Sequence, residues 1–394
     1  MQIDILNALV SSKPFFKSFD LLQHLVLRNK WLIGSFEEKM GIAGDAHTVS
    51  LALDGLSLQD QAFILKSGPI QQQIEQLFFS QQLDFIAIST EDSMKQYAAL
   101  QQILTQITSC ERRESNWESI WAARGFDTSH VLTSPFPYVV SAWSPAESEP
   151  GRWNESNDVL TLFRSHTAGL LNDSAALAPF SQLSITKLRN ALKFLSAISP
   201  FLLHDVSMNV RHCCLIMQTR GESAGLEDFA NMVSISDKRV PNCCFFSEKT
   251  LDDFLYLVET LYHEALHCKY FNIMRVHKIF RDDYRGYSEQ YFECPWRKGE
   301  DEINRCWPFD RAFAAFHVYV HLYVLYNALL EARSDLDREW IVRRNSVVRE
   351  KSSILREWIV KESGSVMTES GLTFLQSLVE LFDASGEAAE PTPD

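Results

Sequence analysis

A chain of 394 residues with 46% hydrophobic and 12% aromatic side chains has enough apolar surface for a sizeable core, in two domains or one elaborated domain. A formal charge of −14 without any basic stripe excludes a nucleic-acid phosphate backbone as the main partner and favours a basic peptide over an acidic one. No apolar run reaches the ~18 residues of a membrane span, and Met1 to Ser12 offers neither a basic leader nor a cleavage site, so a cytoplasmic protein that engages no membrane is expected.

From Ile3 to about Arg124 the apolar spacing is mostly helical, clearest over Gln71 to Phe79 and Ser93 to Ile107. Polar breaks fall at Lys66-Ser67-Gly68-Pro69 and Ser89-Thr90-Glu91-Asp92. Pro135, Pro137, Pro145, Pro150 and Gly151, set among serines and glutamates, mark a loop or linker, so a boundary is expected near residue 150. Residues 1–150 then form a helical N-terminal domain for peptide binding or oligomerisation; a homodimer is compatible with it.

Beyond the linker the pattern predicts a helix over Leu183 to Leu203 and strands over Asn209 to Gln218, Phe229 to Ser236 and Asn242 to Phe246. The fold class is therefore mainly α (α+β): a helical N-terminal region plus a C-terminal helical metal-site domain, residues 151–383, with a small β-sheet. Residues 384–394 read as a disordered acidic tail. The eight cysteines include the adjacent pairs Cys213-Cys214 and Cys243-Cys244 but no CxxC, which points to small core side chains and not to a disulfide framework.

The third strand leads into His263-Glu264-Ala265-Leu266-His267, an HExxH motif inside a helix whose expected N-cap is Ser247. Histidines four residues apart lie one turn above each other, so both rings can reach one metal ion. Glu259, His263, His267 and Tyr270 share a stripe of this helix. A third ligand must come from downstream. Tyr270 and Ile273 stand where a glycine and histidine would extend the motif, and Glu289 or Glu293 would supply a carboxylate. His317 is the better candidate. It stands with His321 on an almost wholly apolar helix, Phe309 to Leu330, where a buried imidazole needs a partner. His321 is the reserve ligand or an outer partner, as is Glu259. Between the two helices lie Pro295-Trp296-Arg297-Lys298 and Trp307-Pro308-Phe309-Asp310-Arg311, where an arginine beside an aromatic wall suits a small carboxylate.

The order of these parts, from Ser234-Ile235-Ser236 and Cys244-Phe245-Phe246-Ser247 through the HExxH helix and the arginine segment to His317, resembles the HExxH-motif peptide-modification family over about residues 155 to 340. The resemblance implies an Fe(II)/2-oxoglutarate-dependent hydroxylase that modifies a side-chain β-carbon of a ribosomally made precursor peptide. It implies His263, His267 and His317 as metal ligands and Arg297 or Arg311 as the group holding the distal carboxylate of 2-oxoglutarate. The chain departs from the family pattern in Arg311-Ala312-Phe313-Ala314-Ala315-Phe316, where small residues and glycine are usual, and in a spacing to His317 one residue short.

In that chemistry Glu264 has an orienting role. The alternative is a zinc metallopeptidase in which Glu264 is the general base. A third reading is a peptide-binding protein whose metal is structural; such sites usually close with four protein ligands, commonly including cysteine.

Overall fold

The computed structural model describes residues 18–43, 48–79, 94–95, 97–102, 105, 131–133, 140–145, 155–167, 175–218, 234–286, 291–300, 302–332 and 336–387. In chain order the elements are α1 (Ser18–Lys39), α2 (Val49–Asp54), α3 (Leu58–Leu65), α4 (Gly68–Phe79), β1 (Val131–Thr133), β2 (Val140–Ala142), α5 (Glu155–Leu162), β3 (Ala175–Ala178), α6 (Gln182–Ile198), α7 (Pro200–Asn209), β4 (His212–Gln218), β5 (Ser234–Ile235), β6 (Cys243–Ser247) and α8 (Phe254–Val276). They continue with β7 (Tyr291–Glu293), α9 (Glu302–Arg305), β8 (Cys306–Pro308), α10 (Phe309–Ala332), α11 (Arg338–Val366) and α12 (Glu369–Glu387). The class is mainly α with a small mixed sheet, as the apolar spacing predicts.

The chain divides into two compact units, and the division runs through α8: residues 22–194 and 204–268 form one, and 1–21, 195–203 and 269–394 the other. This differs from a boundary near residue 150. In the first unit β2 pairs parallel with β4, and β4 with β6, so a strand from within the proline-rich stretch, ahead of residue 150, lies in the same sheet as strands after it. The strand order is β1-β2-β4-β6-β5, with β3 antiparallel to β4. Central parallel strands buried on both faces carry continuous apolar runs, and Cys213, Cys214, Cys243, Cys244, Phe245 and Phe246 are all buried. The adjacent cysteines are small core side chains, as expected.

The N-terminal helices belong to this same unit. Leu22, Val26, Ile33, Phe36, Val49, Leu53, Ile64, Ile74 and Met208 share one core. Glu37, buried, accepts from the Ser50 backbone N–H at 3.1 Å and from the Tyr97 hydroxyl at 2.6 Å, and so satisfies an orphan donor at the start of α2. The Lys66 ammonium donates to the Ser207 carbonyl, and Asn242, at φ 57°, donates from Nδ2 to the Lys66 carbonyl at 2.8 Å. Gly68 lies against Pro241 so closely that a Cβ would run into its carbonyl oxygen. Gly68→Ala is therefore expected to cost about 1–3 kcal/mol, as overpacking against an immovable backbone does; a urea melt with an unchanged midpoint would refute this.

In the second unit α10 packs along α11 and α12. Residues Phe309 to Glu331 are long and apolar enough to cross a membrane, but 83% of the window is buried, as in the central helix of a bundle. α11 starts at Asp337, whose side chain accepts from the Trp340 N–H at 2.9 Å, and Arg356 grips Asp383 of α12 in a bidentate pair at 2.6 and 2.9 Å. α12 runs on to Glu387, so residues 384–387 of the expected acidic tail are helical; the rest of that tail lies outside the described residues. The helix expected over Leu183 to Leu203 is two, α6 and α7, because Pro200 offers no N–H to continue α6 and instead opens α7.

Candidate functional site

α8 does not start from Ser247, which enters a short 3-10 turn over Glu248–Leu251 without a side-chain cap bond. Asp253 caps it instead, accepting from the Tyr256 N–H at 3.0 Å. From there the apolar residues Leu257, Val258, Leu261, Ala265 and Leu266 are buried, which fixes the rotation of the helix and leaves His263 and His267 half-buried.

Their Nε2 atoms lie 3.1 Å apart. That fits a shared ion: two nitrogens each about 2.1 Å from one metal, at roughly a right angle, have this separation. Without metal the same geometry lets the pair share one proton. Burial pushes the His267 imidazole down to about 4, so it is the neutral, ligating form that exists at neutral pH.

Glu264 is buried and turned to the sheet. Its two carboxylate oxygens accept from the Ser234 and Ser236 hydroxyls, each at 2.5 Å. Burial raises its carboxyl to about 7, against the lowering effect of the two serine bonds. Alternate residues along a strand direction point the same way, so Ser234 and Ser236 can hold one carboxylate together. That spacing was legible in the sequence; its target was not. Next on the helix, Cys268 Sγ lies 3.9 Å from Cys244 Sγ of β6, so it points into the sheet. Glu259, one turn before His263, is buried.

In the second unit His317 and His321 are also paired, with ring centroids 4.5 Å apart, and His321 Nδ1 lies 2.7 Å from the His317 carbonyl oxygen. His317 is fully buried, with its ring 5.9 Å from that of Tyr270 and 5.7 Å from that of Phe374. Tyr270, one turn beyond His267 on α8, donates to the Asp310 carbonyl at 3.3 Å, and Tyr284 donates to the Asp310 carboxylate at 2.9 Å. The last turns of α8 thus reach the helix that carries His317. Among the described residues no group of three His, Cys, Asp or Glu side chains is gathered at metal-holding distance. Glu293 lies exposed on β7, paired with Arg305 at 3.3 Å, while Glu289 lies outside the described residues.

Arg297 and Arg311 meet at one indole. Their guanidinium carbons stand 5.6 and 5.0 Å from the Trp307 ring centre. Arg297 also pairs with Glu300 at 2.7 Å. Partial desolvation and the neighbouring Arg297 charge lower the Arg311 pKa, a repulsion that a bound anion would relieve.

Compared with known proteins, the chain matches no family model and no curated protein.

Proposed function

We propose that this protein is an iron(II)- and 2-oxoglutarate-dependent hydroxylase of a side-chain β-carbon in a ribosomally made peptide, acting in the cytoplasm. The observation that carries the reading is the split within the HExxH motif. Two imidazole nitrogens converge at 3.1 Å while the glutamate between them is fully engaged by Ser234 and Ser236. A zinc peptidase needs that glutamate free to take a proton from water, which makes peptide hydrolysis the second reading. A structural metal closed by cysteine is less well supported, because Cys268 faces Cys244.

Under this proposal His263 and His267 hold the metal, with His317 as third ligand and His321 and Glu259 as orienting groups. Bound iron(II), with 2-oxoglutarate and oxygen, supplies a hydrogen-abstracting oxidant and leaves succinate, carbon dioxide and the hydroxylated peptide. Glu264 anchors the motif helix to the sheet and so positions both imidazoles. Of the two arginines, Arg311 is assigned to the distal carboxylate of 2-oxoglutarate, since partial desolvation and the neighbouring Arg297 charge lower its pKa and a bound anion offsets both.

An anaerobic absorbance titration of the metal-free protein, first with Fe(II) and then with 2-oxoglutarate, tests this. A charge-transfer band that needs both additions is expected; its absence, with tight stoichiometric zinc binding instead, overturns the reading. Arg311→Met is expected to weaken 2-oxoglutarate binding roughly 10- to 100-fold, the ~1.5–3 kcal/mol of a hydrogen bond to a charged group, with Fe(II) retained. Unchanged cosubstrate affinity would remove Arg311 from the site.

A further inference from the structure

One face of α1 belongs to the N-terminal core through Leu22, Val26, Ile33 and Phe36. The opposite face carries an apolar pair turned to solvent: Leu27 and Trp31, one turn apart, are 61% and 62% exposed. A single exposed apolar side chain is ordinary, but a tryptophan and a leucine on one stripe make a patch that water covers at a cost. Leu51 of α2 is 48% exposed, and Asp54, one turn further on, takes the Lys30 ammonium next to Trp31, so α2 flanks the stripe with a third apolar group.

The rest of the stripe shows what fits it. In three- and four-residue steps it runs His24, Leu27, Trp31, Ser35 and Glu38, with Gly34 beside Ser35. Its first half is bulky and its second half small, and the two ends are an exposed histidine and an exposed glutamate. A Cβ added at Gly34 would meet nothing within 4 Å, so the space over the small half is open. Such a face complements a copy of itself running the other way. A two-fold axis at Trp31 sets Leu27 of each copy over Ser35 of the other and His24 of each against Glu38 of the other, while Gly34 leaves room for the two indoles at the axis. A register one turn away would set Leu27 against Lys39 and make Arg28 the partner of Glu38. Arg28 is turned inward to Glu75 at 3.5 Å, with its side chain 17% exposed, which disfavours that register.

We propose that α1 is the contact of a homodimer, in which two copies cross antiparallel at Trp31 with His24 of each against Glu38 of the other. An isologous interface makes every contact twice, so one tryptophan supplies both central anchors. The charged ends, at the rim, fix register more than strength. This inference goes beyond the hydroxylase reading and does not rest on it.

The test is sedimentation equilibrium of the full chain without added metal, at concentrations up to about 100 μM, a range that reveals even weak association. The average mass is expected to rise toward that of two chains. Trp31→Ser is expected to weaken dimerisation roughly 30-fold or more, as loss of a central anchor does, with the circular dichroism spectrum unchanged. His24→Glu and Glu38→Lys each remove the opposite-charge match at both ends, and each is expected to weaken it about fivefold. The double variant carries the charges exchanged and is expected to return to within about twofold of the parent, because the two changes are coupled across the interface. A chain that stays monomeric over the whole range, its stripe then serving a different partner, overturns the proposal. So does a dimer indifferent to Trp31→Ser, which must use another surface, or a double variant no tighter than the two single ones, which rules out this register.

Discussion

His263→Ala and His267→Ala are each expected to abolish the iron/2-oxoglutarate absorbance band and to lower Fe(II) affinity by more than the roughly 10- to 100-fold that follows loss of a partner which merely orients a ligand. Under the proposed function the two Nε2 atoms, 3.1 Å apart, would chelate one metal ion as a pair, so either deletion leaves a single imidazole on α8. Because Leu257, Val258, Leu261, Ala265 and Leu266 make the packed face of α8, the helix should survive both changes, and an unchanged circular dichroism spectrum separates lost ligation from lost folding. His317→Ala is expected to follow the pair. His321→Ala is expected to reduce affinity less, since its Nδ1 is taken up by the His317 carbonyl. Iron binding that survives His317→Ala would move the third ligand elsewhere, and binding that survives His263→Ala would remove the metal reading altogether.

Glu264→Gln should leave the iron band intact and should alter how stability depends on pH. A peptidase would lose its general base and with it all turnover; the hydroxylase reading predicts that the amide, which can still bond both serine hydroxyls, keeps the helix in place and the band present. Loss of peptide hydrolysis in a protein that had hydrolysed peptide before the change would establish the other mechanism. In the metal-free protein the Glu264 carboxyl is raised from 4.5 to about 7. Between those values the folded state holds a proton that the unfolded state has lost, so stability falls as pH rises through the window. The loss is complete above pH ~7 and amounts to about 3 kcal/mol. The glutamine variant lacks this term. It should match the parent at pH 4 to 5 and exceed it at pH 8 in urea melts; equal pH dependence in the two proteins would mean that the carboxyl is not titrating there.

Much of the architecture was legible because it follows from local periodicity. α8 and α10 stand where three- and four-residue spacing placed them, and β4 and β6 carry the apolar runs that buried parallel strands require. Where local reading slipped, the reason was chemical competition at an end. Ser247 has the side chain of a cap, yet Asp253 closes α8. The boundary near residue 150 was a composition argument, and composition cannot register that β2 would find its partner, β4, some seventy residues downstream.

The site divides in the same way. That His263 and His267 face one direction was determined by the sequence alone, because four residues make one helical turn whatever surrounds them. Only tertiary structure decided that Glu264 would be spent on Ser234 and Ser236, 30 and 28 residues away, and that Arg297 and Arg311 would share one indole. Helical phase is set by backbone hydrogen bonds between near neighbours, whereas the partner of a buried carboxylate or a stacked cation is chosen by which distant segments the core brings against it.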